Sequence, residues 1–209
     1  MTTAQPARSV VRCADAEIPT DHGPFTATAY RSATGTEHLA MVFGDPAGTT
    51  ALTRVHSECL TGDVLASRRC DCGPQRPAAL ERIAHTGAGV LLYLRGHEGR
   101  GIGLAAKIAY QLQDRLGLDT VDANLHLGLP VDARDYADAA AILHDLGIDS
   151  IDLLTNNPAK AAGLTAAGIT VAHIAPLEIT PNDHNTHYLA TKRDRLGHRL
   201  TRVRLTDTL

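Results

Sequence analysis

The chain has 209 residues, of which 44% are hydrophobic and 21% are charged, and its formal net charge is −3. A globular chain of this length buries a core without needing disulfides or a structural metal. The small negative charge disfavours a general nucleic-acid binder, which usually carries a strongly basic face. The longest apolar run, residues 90–94, is far shorter than the roughly 20 residues that a membrane-spanning helix requires.

The first residues lack the apolar core of a signal peptide, so we expect a cytoplasmic protein with neither a membrane nor a nucleic-acid partner. In that reducing compartment the four cysteines are expected to be thiols, thiolates or metal ligands. Only three of the 20 cationic residues are lysines, at Lys107, Lys160 and Lys192. Either this is chance, or lysine is kept where a compact point charge is needed.

Apolar periodicity and turn residues predict alternating strands and helices. The predicted strands cover residues 25–30, 38–43, 52–56, 90–94, 151–154 and 169–172. The predicted helices cover residues 78–84, 104–116, 136–146 and 185–197, together with one that begins after Asn157 and ends before Gly168. This pattern is typical of a layered α/β domain with an antiparallel, β-rich front portion. We expect a single domain over residues 16–200, between a flexible N-terminal tail at residues 1–15 and a C-terminal tail at residues 201–209.

The strongest chemical signal is the segment CLTGDVLASRRCDC, which contains Cys59, Cys70 and Cys72. Thiolates suit zinc, and three protein ligands leave the fourth tetrahedral position for water, as in a catalytic site. Two other interpretations stay open at this point. One is a structural zinc whose fourth ligand is Cys13 or His56, and the other is a set of ordinary reduced cysteines.

A second signal is the glycine-rich segment RGHEGRGIGL, residues 95–104. Its glycines would let the backbone approach a ligand closely, Arg100 can bind a phosphate, and a helix is predicted just beyond. The spacing matches neither a P-loop nor a dinucleotide-binding fingerprint. A phosphate-binding loop and a plain glycine-rich turn are therefore equally favoured.

Taken together, the segments VHSECLTGD, RCDCG, HEGRGIGL, DTVDAN and LLTNNPAK resemble the GTP cyclohydrolase II family. The resemblance runs from about residue 18 to residue 200, in the family's order and with closely similar spacing. Members open the imidazole ring of GTP and release formate and pyrophosphate, which gives the diaminopyrimidine that begins riboflavin biosynthesis. The resemblance implies a three-layer α/β/α-type domain with a mixed sheet and a β-rich N-terminal portion. It also implies a homodimer.

By this resemblance Cys59, Cys70 and Cys72 hold a zinc ion whose bound water attacks C8 of GTP, and Mg²⁺ accompanies the triphosphate. The implied contacts to GTP are Arg54, Val55, His56, Ser57, Glu58, Gln75, Glu98, Gly99, Arg100, Thr120, Thr155 and Lys160. The residue types suit these roles. The Glu98 carboxylate can accept hydrogen bonds from guanine, and Lys160 follows a predicted helix N-terminus, where anions are favoured.

Asp132 and Arg134 match the family's proton acceptor and its proposed nucleophile towards the α-phosphate. Because a guanidinium stays protonated in proteins, a second role for Arg134 is open, the stabilisation of charge on the transferring phosphoryl group. Without the family, the pair would be interpreted as a helix-start aspartate and an exposed arginine. The family's catalytic tyrosine corresponds to Tyr110, which is one residue short of the usual spacing, so that Gln111 takes that position without a gap.

Two alternative functions remain at this stage. One is a paralogue that hydrolyses GTP only to the formamide, because a shift of one residue turns a helical side chain by about 100°. The other is a zinc- and nucleotide-binding module without turnover. A zinc position left open for water, together with Asp132 and Arg134, disfavours the second alternative.

Overall fold

The computed structural model describes residues 10–109 and 115–203. The strands are β1 (Val10–Thr20), β2 (Gly23–Ser32), β3 (Glu37–Phe43), β4 (Thr50–Ser57), β5 (Gly89–Leu94), β6 (Ser150–Leu154) and β7 (Thr170–Ala175). The α-helices are α1 (Leu60–Asp63), α2 (Cys72–Thr86), α3 (Leu104–Ile108), α4 (Thr120–His126), α5 (Ala137–Asp145), α6 (Pro158–Ala166) and α7 (Thr186–Leu196). A short 3₁₀ turn covers Glu98–Arg100.

All seven strands belong to one mixed sheet, in the order β1-β2-β3-β5-β4-β6-β7. The first three strands form an antiparallel meander, and β3 also pairs antiparallel with β5. From β5 through β4 and β6 to β7 the strands are parallel. The predicted α/β class, mixed sheet and β-rich N-terminal portion are confirmed.

Both faces of the sheet are covered, which makes the fold three-layered. On β5, Leu92 faces a core that includes side chains of α5 and α6. Its neighbour Leu91 faces the opposite core, which includes Ala79 and Ile83 of α2. This burial on both sides is the reason that β5 is apolar without alternation.

The predicted strands and helices are present, with ends that differ by a few residues. Helix α6 begins as expected, because the Asn157 side chain accepts a hydrogen bond from the amide of Ala159 at 3.0 Å and Pro158 follows at the first helical position. The helix predicted over residues 104–116 starts with α3, and its middle falls outside the described residues. No helix in the described part of the chain is long and apolar enough to cross a membrane.

The expected tails are partly wrong. Residues 10–15, predicted to be flexible, belong to β1, which is exposed along most of its length and pairs with β2 from Val10 to Thr20. Backbone hydrogen bonds rather than burial hold this edge strand, so its sequence carries no apolar alternation. At the other end, Val203 is buried against Leu189 and Leu200, so residues 201–203 are not a free tail. Helices α1 and α4 were not predicted.

Candidate active site

A cavity of about 500 Å³ lies where the parallel strands β4, β5 and β6 end. Parallel strands bring their carboxyl ends to one edge of a sheet, and ligands commonly bind there. Ser57 ends β4 and Glu58 follows it, His97 and Glu98 lie in the turn after β5, and Thr155 follows β6. Chain topology thus gathers motifs that lie about 100 residues apart in sequence.

Most of the sequence-predicted site residues line this cavity. They are Arg54, His56, Ser57, Glu58, Cys59, Cys70, Cys72, Gln75, Glu98, Gly99, Arg100, Thr120, Arg134, Thr155 and Lys160. Val55 does not line it, because its side chain faces the hydrophobic core. Asp132 does not line the cavity, but it forms an ion pair with Arg134, which does. Tyr110 and Gln111 lie outside the described residues.

The three predicted zinc ligands come together. The sulfur atoms of Cys59, Cys70 and Cys72 all lie within 4.8 Å of one another, and Cys59 and Cys70 are 3.7 Å apart. Tetrahedral zinc with bonds of about 2.3 Å places two sulfur ligands about 3.8 Å apart, so the cluster fits this ion. Cys13 lies exposed on β1, and neither it nor His56 belongs to the cluster. The geometry favours three protein ligands over a closed set of four.

Helix α1 approaches the sulfurs so closely that only glycine fits at position 62. A Cβ atom there would lie 2.8 Å from the Cys70 sulfur and 3.1 Å from the Cys59 sulfur. Lys107 reaches the cluster from α3, and its ammonium donates to the Cys59 sulfur at 2.9 Å. The neighbouring thiols of Cys70 and Cys72, and then the Lys107 charge, hold the pKa of the Cys59 thiol far below its usual range. The Lys107 ammonium favours the thiolate form of Cys59, which is the form that binds metal ions.

A hydrogen-bond network behind Cys59 fixes the start of α1. The Asp63 carboxylate accepts from the backbone amide of Cys59 at 3.0 Å and from the Tyr93 hydroxyl at 2.9 Å. It also lies 3.0 Å from Nε2 of His56, which is fully buried in β4. Burial lowers the pKa of His56. His56 therefore supports the cysteine turn.

Glu98 is more constrained than its expected role as a guanine acceptor implies. One oxygen accepts from the Leu60 amide at 2.7 Å, and the other accepts from the Lys107 ammonium at 2.6 Å. The carboxylate is buried and links α1 to α3. Both of its oxygens already have donors within the protein.

The glycine-rich segment forms a tight turn in which Gly99 and Gly101 adopt φ angles of 60° and 87°. A Cβ atom at Gly101 would lie 3.1 Å from the backbone of Ala133. Left-handed backbone and close packing within the chain explain these two glycines. Arg100 itself has a φ of 66°, and its Nη2 is buried with no hydrogen-bond partner among the described residues.

Three cations with largely covered side chains, Arg54, Arg134 and Lys160, line the same cavity as the cysteines. Lys160 is 5% exposed and donates to the Val55 carbonyl at 2.6 Å, and Arg54 is 7% exposed. Burial, and then the nearby charges of Arg54 and Arg134, hold the pKa of Lys160 well below its usual range. Since no carboxylate is paired with Lys160 or Arg54 among the described ion pairs, this wall favours an anionic ligand.

Arg134 makes several hydrogen bonds in the cavity wall. Its guanidinium binds both oxygens of Asp132, at 2.9 and 2.5 Å, and donates to the Ser57 hydroxyl at 3.4 Å. Burial disfavours the charged form, but the bonds to Asp132 outweigh it and raise the pKa of Arg134 above its usual range. The Ser57 oxygen also lies 3.2 Å from Nδ1 of His97. Burial, with the charge of Arg134, lowers the pKa of His97 to about 4, so this ring is neutral at pH 7.

Sequence reasoning missed one wall of the cavity, which comes from the C-terminal segment. Its lining residues are His184, His187, Tyr188, Thr191, Lys192, His198 and Leu200. They lie on a polar helix and its flanks, and no motif marked them. The scarcity of lysine was the one available signal, because Lys107, Lys160 and Lys192 all line the cavity.

The fold and the site define an α/β protein in which three cysteines that could hold a metal ion line a pocket with several cations. Comparison with known proteins agrees with this class: the sequence model of GTP cyclohydrolase II matches residues 11–176. The chain belongs to the GTP cyclohydrolase II family.

Relatives of this chain are longer proteins. The riboflavin biosynthesis protein RibBA of Nocardia farcinica is 60% identical over 196 residues, which cover 92% of this chain and 47% of that protein. RibBA of Salinispora arenicola is also 60% identical, over 92% of this chain and 46% of its own length. The chain thus spans about half the length of these relatives. A crystal structure of RibBX, a two-domain 3,4-dihydroxy-2-butanone 4-phosphate synthase from A. baumannii, aligns with a TM-score of 0.47 and 21% identity, over 83% of this chain and 41% of that chain.

Proposed function

We propose that this protein hydrolyses GTP in a zinc-dependent reaction that opens the imidazole ring and releases formate and pyrophosphate. The product would be the diaminopyrimidine ribonucleotide that begins riboflavin biosynthesis. One observation carries the proposal: the three-cysteine cluster and the buried cations Arg54, Arg134 and Lys160 face the same cavity. Its volume of about 500 Å³ lies within the usual range for a small-molecule site, about 300–1,000 Å³.

Cys59, Cys70 and Cys72 would hold the zinc. When bound, zinc lowers the pKa of a coordinated water to about 7 and polarises the group under attack. Lys107 donates to both the Cys59 sulfur and the Glu98 carboxylate, and its positive charge favours the thiolate form of Cys59. Gly62 leaves the space that the sulfurs need. The metal end of the cavity is thus prepared by the protein before substrate arrives.

At the cationic end, Arg54 and Lys160 would bind the triphosphate, with Mg²⁺ held mainly by phosphate oxygens. Arg134 would stabilise charge on the α-phosphate, because its raised pKa keeps the guanidinium protonated and unsuited to act as a nucleophile. Asp132 holds Arg134 through two hydrogen bonds. Neutral His97 can accept the hydrogen bond of the Ser57 hydroxyl at Nδ1, so that the Ser57 oxygen accepts from Arg134.

The remaining predicted contacts to GTP, the role of Tyr110, a cytoplasmic location and a homodimer are also part of this proposal. They rest on the family resemblance and on residues such as Gln75, Thr120 and Thr155, which line the cavity. Sedimentation equilibrium of the purified protein would measure its mass and test the dimer.

The test is to incubate zinc-loaded protein with GTP and Mg²⁺, and to quantify formate, pyrophosphate and the nucleotide products by mass spectrometry. Equal amounts of formate and diaminopyrimidine are expected. A formamidopyrimidine without formate would contradict full ring opening and support the partial reaction. Bound GTP with no product would contradict an enzyme for this substrate.

Two variants test the role of Arg134. Arg134→Gln is expected to lower kcat by about 100–1,000-fold, the usual effect of removing a preorganised charge donor. Arg134→Lys keeps the charge but loses the fork that Asp132 holds, so an intermediate rate is expected. Arg12→Gln, which changes an exposed arginine that pairs with Asp15 on β1, serves as the control. A rate for Arg134→Gln within threefold of the unsubstituted protein would rule out this role.

A further inference from the structure

The C-terminal helix α7 contributes a buried charge to the cavity, although the family match ends at residue 176. The Lys192 side chain is only 12% exposed. Its ammonium donates to one carboxylate oxygen of Asp71 at 2.8 Å and lies 4.5 Å from the centre of the Tyr188 ring. A desolvated lysine is rare unless it is paired, so this contact has a structural or functional purpose.

Asp71 connects Lys192 to side chains of α2 and β4. It lies between two of the cysteines and is 3% exposed. Its second carboxylate oxygen accepts from the Gln75 amide nitrogen at 2.6 Å, and the Gln75 oxygen accepts from Arg54 at 2.7 Å. A second Arg54 nitrogen donates to the Leu154 carbonyl at 2.8 Å. The side chains of Lys192, Asp71, Gln75 and Arg54 thus form one buried chain of hydrogen bonds from α7 to β4, which we call the relay.

Each hydrogen bond of the relay has a fixed donor and a fixed acceptor. A carboxylate can only accept and a guanidinium can only donate, so Asp71 and Arg54 together allow one orientation of the Gln75 amide. Arg54 is held by that amide and by a backbone carbonyl, while its Nε is buried without a partner among the described residues. Lys192 compensates the Asp71 charge. Without Lys192, the negative charge of the buried Asp71 carboxylate would have no compensating ammonium, and the carboxylate would compete for the nearest hydrogen-bond donors.

We propose that Lys192 is a positioning residue of the nucleotide site, which acts through Asp71 and Gln75 to hold the Arg54 guanidinium towards the cavity. The inference deepens the proposed function and rests on it. Lys192 does not touch the nucleotide in this proposal. Lys192 instead affects the position of the Arg54 guanidinium, which would bind the phosphates.

The test compares full-length, zinc-loaded variants by calorimetric binding of a β,γ-imido analogue of GTP and by steady-state kinetics with GTP. Lys192→Met is expected to weaken analogue binding by at least tenfold and to raise KM in proportion, with kcat changed by less than threefold. Asp194→Asn on the same helix is the control, because it also removes one charge and Asp194 is exposed and pairs only with its neighbour Arg193 among the described ion pairs. Unchanged binding and KM in Lys192→Met, with only a lower unfolding midpoint, would overturn the proposal.

The double variant Asp71→Asn/Lys192→Met keeps the test decisive if the single variant does not fold. The introduced amide retains an acceptor for Gln75 but carries no charge that needs compensation, so binding within about threefold of the unsubstituted protein is expected. A double variant that binds as weakly as Lys192→Met, or that folds but shows a tenfold loss, would indicate direct contact with the nucleotide and would overturn the positioning role. Because analogue binding is measured apart from turnover, absence of formate with the unsubstituted protein would count against the proposed function alone. An unsubstituted protein that does not bind the analogue would overturn both.

Discussion

Gly62 leaves the space that the sulfurs of the three-cysteine cluster occupy. Gly62→Ala places a methyl group 2.8 Å from the Cys70 sulfur, so α1 or the cysteine must move. We expect zinc affinity to fall by about 10–100-fold, the usual cost of disturbing the surroundings of a metal site. Competition with a chromophoric chelator would measure it. Val64→Ala, at an exposed position just after α1, is the control, and equal affinities of the two variants would contradict the expectation.

Two partly buried histidines are expected to make stability depend on pH. Burial lowers the pKa of His97 to about 4 and that of His198 to about 3, whereas an unfolded histidine titrates near about 6.5. Between these values the unfolded chain binds the protons and the folded chain does not, so stability falls as pH decreases from 6.5. Each group contributes about 1.36 kcal/mol per pH unit in that window.

Denaturant unfolding between pH 6.5 and pH 5 measures this effect. The double variant His97→Gln/His198→Gln should show a shallower dependence of unfolding free energy on pH than the unsubstituted chain. His85→Gln, exposed on α2, provides the comparison. Identical slopes for the double variant and the unsubstituted chain would show that these rings do not stay neutral in the fold.

Motif residues were predictable to the extent that their chemistry is local. Three cysteines in one short segment predict a metal site wherever the segment lies, and the structure gathers their sulfurs. The engagement of Glu98 by Lys107 and by a backbone amide was not predictable, because it depends on how α1 and α3 pack. The relay from Lys192 to Arg54 joins residues that are 138 positions apart, and no local pattern marks such a contact.

At the scale of elements, helix α6 shows how a cap supports the site. The Asn157 side chain satisfies the Ala159 amide, and the first turn that it stabilises carries Lys160. Asn157→Ala is expected to lower the free energy of unfolding by about 1 kcal/mol, the usual loss for an N-cap. Asn157→Ser keeps a capping oxygen and should lose only a small part of this. Urea denaturation of both variants would measure the difference, and equal losses would refute the capping role.

Strands and helices with buried faces were predicted because burial fixes where apolar residues stand in the sequence, as a helical period in α5 and as a continuous run in β5, which is buried on both faces. β5 and α5 are examples, since their apolar residues point into the two cores. β1 was not predicted, because backbone hydrogen bonds to β2 hold it while the side chains of β1 are exposed to solvent. Helix α4 was not predicted because it is short. Asp119 caps it, but its seven residues are too few to show a clear helical period.

At the scale of the whole molecule, the segment after β7 is attached to the site through Asn156. Its side chain accepts from the Leu177 amide and donates to the Leu177 carbonyl, both at 2.8 Å, and its own carbonyl accepts from the Arg199 amide. Both ends of the C-terminal segment therefore meet at one residue of the cavity wall. Arg195 adds a contact with Asp119 and Asp122 of α4.

Asn156→Ala is expected to loosen this attachment. Each buried backbone group left unpaired costs about 1–3 kcal/mol, so the unfolding free energy should drop and the amides of residues 186–196 should exchange faster with deuterium. Thr165→Ala, exposed on α6, should change neither. Faster exchange throughout the sheet, rather than in α7, would contradict a local attachment.

The placement of lysine has a practical consequence for labelling. All three lysine side chains line the cavity, and those of Lys107 and Lys192 are only 14% and 12% exposed. Amine-reactive esters therefore meet no lysine on the open surface of this protein, and apart from the terminal amine their targets are the walls of the cavity. Acylation with such a reagent, followed by peptide mass mapping, becomes a footprint of occupancy, in which a bound nucleotide should shield the lysines.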